Sequence, residues 1–411
     1  MNRTRENAKR TAIVVGGSLG GLFAANLLHR RGWLVTVFER APDALSGRGA
    51  GIVTHPELFQ ALSEAGCQVD DSIGIAVKNR VTFNRDGSLA GSLALPQTFT
   101  AWSKLFHLLR RAFPDERYIE GASVVDVESG EDSEDGAVVT LSDGTRHRAD
   151  VLIAADGFRS MTRQRLLPDV QLEYAGYVAW RGLVDEHKLS PSTRKALFDN
   201  FAFCIPPGEQ MLGYPVAGMD NSTETGARRY NFVWYRPTTD ERSLDDLLTD
   251  DKGNTHLFGI APHLIRKEVL TDMRDAANSV LAPQFREVVD KARQPLFQPI
   301  YDLEVPRLAF GRTALLGDAA FVGRPHCGMG VTKAAGDAMQ LASSLDSHVR
   351  IEDALRDYES HRVKVGAAVV THARHLGAYM QAQTRSETEK FMAEKYRTPE
   401  AVMRETAVPP A

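Results

Sequence analysis

A glycine-rich turn close to the start of the chain has the residue types of a dinucleotide-binding loop. It runs through Gly16, Gly17, Ser18, Leu19, Gly20 and Gly21, between a predicted strand and a predicted helix. Glycine permits the tight turn, and the free amides at the positive end of the helix dipole can bind a pyrophosphate. Because Ser18 stands where the usual fingerprint has its second glycine, a purely structural turn stays open as the alternative.

An acidic residue follows this turn at the spacing of a ribose contact. Glu39 ends the next predicted strand, 23 positions after Gly16 (39 − 16). A carboxylate about 20 residues beyond the turn can accept hydrogen bonds from ribose hydroxyls. We therefore place Glu39 and its neighbour Arg40 in the predicted nucleotide site.

Two later segments carry acidic residues at the ends of buried strands. Asp156 and Gly157 follow one such strand, and Gly317 and Asp318 follow another. Ligands of open α/β sheets bind at the carboxyl ends of the strands, where carboxylates can accept hydrogen bonds from ribose and ribityl hydroxyls. Both segments are therefore predicted to contact the same ligand as the glycine-rich turn.

A further segment is suited to negative charge on that ligand. After a proline-containing loop, Gly328, Met329 and Gly330 open a predicted helix. Its first amides would face the ligand and stabilise the charge that develops near N1 and the C2 carbonyl of a reduced flavin.

The elements that must position these segments predict a mixed α/β fold. The run 11–15, a helix within 22–32 and the run 34–40 indicate a parallel βαβ unit, whereas aromatic-rich strands between 174 and 236 indicate an inserted antiparallel sheet. We expect a Rossmann-like FAD-binding domain (11–75, 100–170 and 300–345) and a substrate domain (76–99 and 171–299). A C-terminal helical region and tail (346–411) would follow, with no structure predicted for the last thirty residues.

Composition excludes several classes of function. The 49 basic and 53 acidic side chains give a net charge of −4, so the chain has no positive surplus for binding nucleic acid. No run of about 18 apolar residues predicts a membrane span. Cys67, Cys204 and Cys327 are widely separated, which is typical of a reduced, cytoplasmic protein. We also expect no metal, and leave a homodimer open.

The ordered motifs resemble the flavin-dependent aromatic hydroxylases with the p-hydroxybenzoate hydroxylase fold. The matching segments are GGSLGG with Glu39, ADGFRSMTR (155–163), LLGDAA (315–320) and RPHCGMG (324–330). Within this group PELFQAL (56–62), YAGYVAWRG (174–182) and GYPV (213–216) are most similar to the 2,6-dihydroxypyridine 3-hydroxylase branch. The sequence departs from the family pattern at Trp102, where arginine is usual, and at Thr332, where asparagine is usual and Lys333 follows.

This resemblance implies an FAD-dependent monooxygenase. NADH or NADPH would reduce the flavin, and O2 would then form a C4a-hydroperoxyflavin that hydroxylates a small aromatic ring, here a hydroxylated pyridine. A phenol or benzoate hydroxylase is one alternative, and a non-catalytic flavin-binding redox sensor is another.

Candidates for the substrate pocket lie in the inserted sheet and in the loop after Asp318. Tyr214 and His326 could hydrogen-bond or deprotonate a ring hydroxyl, and Arg181 could bind an anion. Phe203 and Trp234 could form apolar walls, although aromatic residues at strand spacing are more often core residues.

Overall fold

The computed structural model describes residues 9–42, 51–129, 136–239, 242–381 and 386–410. The strands in these ranges are, in chain order, β1 (Thr11–Val15), β2 (Leu34–Phe38), β3 (Gly51–Val53), β4 (Ile75–Phe83), β5 (Leu89–Ala101), β6 (Tyr118–Ile119), β7 (Val124–Glu128), β8 (Ala137–Leu141), β9 (Arg146–Ala149), β10 (Val151–Ala154), β11 (Glu173–Asp185), β12 (Asn200–Cys204), β13 (Gln210–Val216), β14 (Arg229–Pro237), β15 (Leu296–Glu304), β16 (Ala309–Phe310), β17 (Thr313–Leu315) and β18 (Phe321–Val322).

The helices of the same ranges are α1 (Leu19–Arg30), α2 (Pro56–Glu64), α3 (Trp102–Ala112), α4 (Met161–Leu166), α5 (Pro191–Leu197), α6 (Leu244–Leu247), α7 (Lys267–Val280), α8 (Pro283–Lys291), α9 (Gly330–Ser347), α10 (Ile351–Gly377), α11 (Glu387–Tyr396) and α12 (Pro399–Glu405).

The first sheet has the order β16-β17-β10-β1-β2-β6. Its five strands from β17 to β6 pair in parallel, and β16 runs antiparallel at the edge. Alternate residues of β1 face two different layers: Val14 packs into the core with α1 and α9, and Ile13 packs against the small sheet β7-β8-β9. A parallel sheet covered on both faces is the expected form of a Rossmann-like unit.

The second sheet has nine strands in the order β18-β15-β11-β14-β13-β12-β4-β5-β3. Its pairs are antiparallel except for β4 with β12. One face packs against α7 and α8, and the other contributes to a core that includes residues of α11 and α12. This second face lies toward the substrate-pocket candidates.

The predicted fold class, a Rossmann-like domain with an inserted antiparallel sheet and C-terminal helices, is confirmed. Two strands within the ranges predicted for the FAD-binding domain belong to the second sheet instead. β3 pairs with β5, and β18 pairs with β15. The tail also differs, because the last thirty residues, for which no structure is predicted, contain α11 and α12.

Candidate functional site

Three of the predicted segments begin at one edge of the parallel sheet. Val15 of β1 pairs with Ala154 of β10, and Ala154 pairs with Leu315 of β17. Because the three strands are parallel and end at the same level, the chain turns that follow them are neighbours. The glycine-rich turn, the Asp156 segment and the Gly317 segment are thus brought together.

The glycine-rich turn is packed so closely that side chains are excluded at two positions. Gly16 has a φ of 101°, in the region that favours glycine. A Cβ atom on Gly21 would lie 1.9 Å from the Gly16 carbonyl oxygen, so this helix start requires glycine. Ser18 is the N-cap of α1 and makes no side-chain capping bond, while the Leu19 side chain is buried, which leaves its amide as the group that a ligand could contact.

Glu39 is buried beside this turn and accepts two backbone hydrogen bonds. Its carboxylate accepts from the Gly17 amide at 2.8 Å and from the Ala41 amide at 2.9 Å. Each carboxylate oxygen can accept a further bond, so the side chain retains capacity for a ribose hydroxyl. Arg40 is exposed next to it.

Asp156 organises its own loop. The carboxylate accepts from the Ser160 hydroxyl at 2.5 Å and from the Thr162 amide at 3.1 Å, after the turn at Gly157. Arg163, a residue without a predicted role, is fully buried and donates to the carbonyl oxygens of Phe158 and Ala319. It therefore ties this loop to the segment around Asp318.

A buried ionic cluster supports the Gly317 turn. The Lys333 ammonium lies 2.9 Å from the Gly317 carbonyl oxygen and 3.3 Å from Asp337 Oδ2, which in turn accepts from the Gly317 amide. Arg362 Nε donates to the other oxygen of Asp337 at 2.7 Å. Lys333, which follows the departure from the family pattern at Thr332, thus places a cation directly beneath the turn.

Asp318 projects into a cavity. Its side chain is accessible from the cavity, but protein atoms surround it on its other sides. This partial desolvation raises the pKa of the carboxyl group, and the positive charge of Lys333 opposes the shift. Its carboxylate has no hydrogen-bond donor in the part of the chain that the structure describes, and an accessible acceptor of this kind suits a hydroxyl-rich ligand.

The start of α9 borders the same cavity. Gly328 has a φ of 65°, Met329 is buried as the N-cap, and Gly330 is exposed, with no atom within 4 Å of the position that a Cβ on it would take. The first amides of this 18-residue helix therefore remain accessible to a ligand.

The cavity has a volume of about 340 Å³ and extends from Asp318 and α9 to the second sheet. Its apolar lining includes Phe201, Leu212, Val233, Tyr235 and Ile300, all of them buried. The predicted residues Arg181, Tyr214 and His326 also line it. One space is therefore shared by part of the nucleotide site and most of the substrate-pocket candidates.

Tyr214 is held as a neutral phenol. Its hydroxyl donates to the Gly51 carbonyl oxygen at 3.0 Å, and its ring stacks on Phe99 with centroids 4.0 Å apart. Burial raises the pKa of Tyr214 to about 12, and the Arg181 charge opposes this shift. At neutral pH the group is a hydrogen-bonding phenol, which argues against its use as a base.

His326 is buried against a second tyrosine. Its Nε2 lies 2.7 Å from the Tyr177 hydroxyl, and Nδ1 has no hydrogen-bond partner among the residues described. Burial lowers the pKa of His326 well below 6.5, and the charges of Arg324 and Arg181 act in the same direction. The imidazole is thus neutral at neutral pH.

Two arginines line the cavity, and they differ in their partners. Arg324 is paired with Asp302, with Nη2 to Oδ2 at 2.8 Å. Arg181 is half-buried, its Nε has no partner, and it forms no ion pair with a carboxylate in the described ranges. Arg181 is therefore the cation suited to an anionic ligand.

The two aromatic residues predicted to form apolar walls of the pocket, on β12 and β14, do not line the cavity. Trp234 lies on the opposite face of its sheet, in the core with α7 and α8, and its Nε1 donates to Glu209 at 2.8 Å. Its neighbours Val233 and Tyr235 face the cavity instead. Phe203 packs beside Phe201, with ring centroids 4.4 Å apart, and is not among the residues that line the cavity, so the expectation for both residues is corrected.

The C-terminal tail contributes to the cavity, which the sequence did not predict. Thr406 and Ala407 line it, and the Ala407 amide donates to the His326 carbonyl oxygen at 2.7 Å. A local signal was present, because Ser386 and Glu389 form the capping box that starts α11. That signal predicts a helix but not where the helix packs.

Together these features fit a flavin dinucleotide. The amides of α1 suit a pyrophosphate, Glu39 and Asp318 present acceptors for hydroxyl groups, and the open start of α9 suits negative charge on a reduced ring. Within the described ranges no three metal-ligating side chains cluster. No described helix combines the length and apolar character needed to span a bilayer.

Comparisons with protein families agree with this geometry. Residues 14–69 match an NAD(P)-binding Rossmann-like domain, residues 174–302 match an FAD binding domain-like family and residues 299–373 match an FAD binding domain. The second and third matches include the inserted sheet, the Asp318 turn and α9.

Individual relatives cover nearly the whole chain. The 2,6-dihydroxypyridine 3-monooxygenase of Paenarthrobacter nicotinovorans is 32% identical, with 90% of this chain and 91% of its own covered. The 3-hydroxybenzoate 6-hydroxylase of Polaromonas naphthalenivorans is 26% identical, with 94% and 92% covered. The solved structure of 2,6-dihydroxypyridine-3-hydroxylase from Arthrobacter nicotinovorans has a TM-score of 0.84 and 30% identity, with 92% and 95% covered.

Proposed function

We propose that this chain, which belongs to the FAD-dependent aromatic monooxygenases, uses NADH or NADPH and O2 to hydroxylate a pyridine that already carries hydroxyl groups. The observation that carries this proposal is Arg181, which has no carboxylate partner in the described ranges and lies in one cavity with Tyr214, His326 and the apolar side chains of the second sheet. A hydroxypyridine anion has the flat apolar faces and the negative charge that this cavity accommodates. The similarity to a dihydroxypyridine monooxygenase supports the same substrate class.

FAD would be held by the residues of the parallel-sheet edge. The amides of α1 would bind the pyrophosphate, Glu39 and Asp318 would accept from hydroxyl groups, and the start of α9 would face negative charge on the ring system. Bound FAD supplies the redox chemistry that side chains lack, namely reduction by NAD(P)H and transfer of oxygen from O2.

Arg181 would bind and orient the substrate anion. A guanidinium in a low-dielectric cavity favours the ionised form of a ring hydroxyl, and the ionised ring is more electron-rich. The same interaction fixes one edge of the ring, so that the carbon to be hydroxylated is presented in one orientation.

His326 is proposed to accept a hydrogen bond from a ring hydroxyl at Nδ1. When the Nε2 proton is donated to Tyr177, Nδ1 carries the free lone pair. The neutral state of the imidazole at neutral pH is the state that this role requires. Tyr214, as a neutral phenol bound to Gly51, would position the ring and take no part as a base.

The apolar walls would exclude water during the reaction. Phe201, Leu212 and Val233 leave few polar atoms on the second-sheet side of the cavity. Exclusion of water strengthens the electrostatic interaction of Arg181 with the substrate anion. It also prevents side reactions with solvent during oxygen transfer.

The proposal is tested with purified protein, whose absorption spectrum should show bound FAD. NAD(P)H oxidation and O2 uptake are then measured across a panel of 2,6-dihydroxypyridine, monohydroxypyridines, phenols and hydroxybenzoates, with product identified by mass spectrometry. We expect the dihydroxypyridine to give the highest kcat/KM and close to one hydroxylated product per NAD(P)H. Hydroxybenzoates that exceed it would move the assignment to the alternative suggested by the 26% identical relative. A yellow protein that no ring stimulates would instead indicate a redox sensor.

A further inference from the structure

Residues 398–408, here named the C-terminal wall, close one side of the cavity. They comprise α12 and the residues that follow it, of which Thr406 and Ala407 line the cavity. Ala407 has a φ of 57°, unusual for a residue with a side chain, and its amide is bound to the His326 carbonyl oxygen. The wall therefore reaches both His326 and the substrate space.

The wall also abuts the start of α9. A Cβ atom on Gly328 would lie 3.2 Å from the Cβ of Ala407 and 3.2 Å from that of Val53. The turn at Gly328 is thus enclosed between the wall and β3, so a displaced wall would open the cavity beside the proposed flavin site.

Arg80, on β4, attaches the wall. Its Nη1 donates to the carbonyl oxygen of Met403 at 2.8 Å and to that of Thr406 at 2.5 Å. Its Nη2 donates to Gln97 at 2.7 Å, and Gln97 donates to the Ala407 carbonyl oxygen at 3.1 Å. The guanidinium lies at the negative end of α12, where a cation is stabilised.

The burial of Arg80 makes this attachment unusual. The residue is 1% exposed and has no carboxylate partner within the described part of the chain. Buried arginines normally pair with an acid, because an uncompensated charge is costly to desolvate. Here backbone carbonyl groups of the wall take the place of that acid.

Arg80 contacts a second side of the cavity as well. Its guanidinium carbon lies 5.2 Å from the centre of the Phe201 ring, and Phe201 lines the cavity. Phe201 in turn packs edge-on against Tyr214, with centroids 5.5 Å apart. One buried cation therefore supports two walls of the same space.

We infer that Arg80 is a positioning residue for the hydroxylation, which holds the C-terminal wall and Phe201 against the ring substrate and keeps water out. The role in hydroxylation rests on the proposed function, whereas the attachment of the wall does not. Arg80 would raise substrate affinity and the yield of product per NAD(P)H without touching the substrate.

The experiment compares Arg80→Met and Arg80→Lys with the control Arg404→Ala in the full-length FAD-bound protein. Arg404 lies on α12 too, but it is exposed and pairs with Glu400 at the surface. Cys327 reports on the wall without any substrate, since it lines the cavity, is 2% exposed and belongs to a cluster against which Ala401 of α12 packs. Cys67, buried in the core of the parallel sheet, reports general loosening of the fold.

The first measurement is the rate at which iodoacetamide alkylates Cys327 and Cys67, read by mass spectrometry at one pH. In Arg80→Met we expect alkylation of Cys327 to rise about tenfold relative to Cys67, with Arg404→Ala at the wild-type ratio and Arg80→Lys between them. Equal increases at the two cysteines, or an unchanged ratio, would overturn the attachment.

The second measurement is KM, kcat and product formed per NAD(P)H with 2,6-dihydroxypyridine. We expect Arg80→Met to raise KM about tenfold and to lower the product yield, with a smaller effect on kcat. If alkylation of Cys327 rises selectively while KM and the product formed per NAD(P)H stay at their wild-type values, the positioning role is overturned. If no ring stimulates the wild-type protein, the proposed function fails, and the alkylation ratio still decides whether Arg80 holds the wall.

Discussion

Nε2 of His326 lies 2.7 Å from the hydroxyl oxygen of Tyr177, and both side chains are buried. The Tyr177 ring also contacts a neighbouring ion pair. The guanidinium carbon of Arg324, which is paired with Asp302, lies 5.7 Å from the centre of that ring. Burial of the ring, together with the positive charges of Arg324 and Arg181, keeps the His326 pKa low. This environment fixes the protonation state on which the proposed chemistry depends.

The stability of the protein should fall as the pH decreases below about 6.5. An unfolded histidine binds a proton near that pH, but folded His326 does not, so protonation favours the unfolded chain by up to about 1.4 kcal/mol per pH unit. In His326→Gln this contribution is lost, and the free energy of unfolding should depend less steeply on pH between 6.5 and 5.5. Urea unfolding at several pH values measures the slope.

Tyr177→Phe is the matched control for this slope, because it retains the buried imidazole. It should keep a steep dependence, to which His55, His372 and His375, whose pKa values burial also lowers, contribute in all variants. Identical slopes for the wild type and His326→Gln would contradict the prediction.

Arg181→Met should weaken the binding of an anionic ring. A charge-assisted hydrogen bond contributes roughly 1.5–3 kcal/mol, which corresponds to a rise in Kd of about ten- to a hundredfold. Titration of the flavin absorbance with 2,6-dihydroxypyridine measures Kd, and a neutral ring of the same size should lose much less affinity. Arg236→Met is a suitable control, because Arg236 is paired with Glu209. Equal losses for charged and neutral rings would refute an anion site at Arg181.

Asp318→Ala should reduce the affinity for FAD. The variant removes an acceptor that faces the cavity, and each lost hydrogen bond to a charged group costs about 1.5–3 kcal/mol. The FAD content of the purified protein and the fluorescence of released flavin measure the effect. Asp353→Ala, an exposed change on α10, should retain the cofactor. Full FAD occupancy in Asp318→Ala would show that this carboxylate is not a ligand.

Tyr214→Phe should slow ring hydroxylation more than it slows reduction of the flavin. The hydroxyl group that bonds Gly51 is lost, and stability should decrease by about 1 kcal/mol, while the stacking on Phe99 is retained. Stopped-flow measurement of the reductive and oxidative half-reactions separates the two steps. Equal slowing of both steps would exclude a specific role for Tyr214 toward the substrate.

The nucleotide side of the site was accessible to sequence reasoning. Each motif follows a buried strand, and the carboxyl ends of parallel strands share one edge, so the order of motifs alone brings Gly16, Asp156 and Gly317 together. Glu39 was found by its spacing from the glycine-rich turn, and the structure places it beside Gly17.

The substrate side was harder to predict for a physical reason. Alternation along β14 establishes that Trp234 faces away from Val233 and Tyr235, but both faces of the strand are apolar and buried. The face chosen by Trp234 depends on α7 and α8, which pack there through contacts distant in sequence.

Long-range contacts also explain why the tail was missed. Arg80 and Met403 are 323 positions apart, and no local pattern near either residue indicates the other. The polar composition of the tail reflects its exposed side, whereas Val402 and Met403 are buried.

The order of strands in the parallel sheet has a consequence for biosynthesis. The glycine-rich turn is synthesised well before its neighbours β17 and α9, which are made only after residue 312. A nascent chain that ends before these elements lacks part of the nucleotide site, so FAD uptake is expected only after α9 has been synthesised. Fragments that stop before Gly330 should emerge colourless however well their early segments fold.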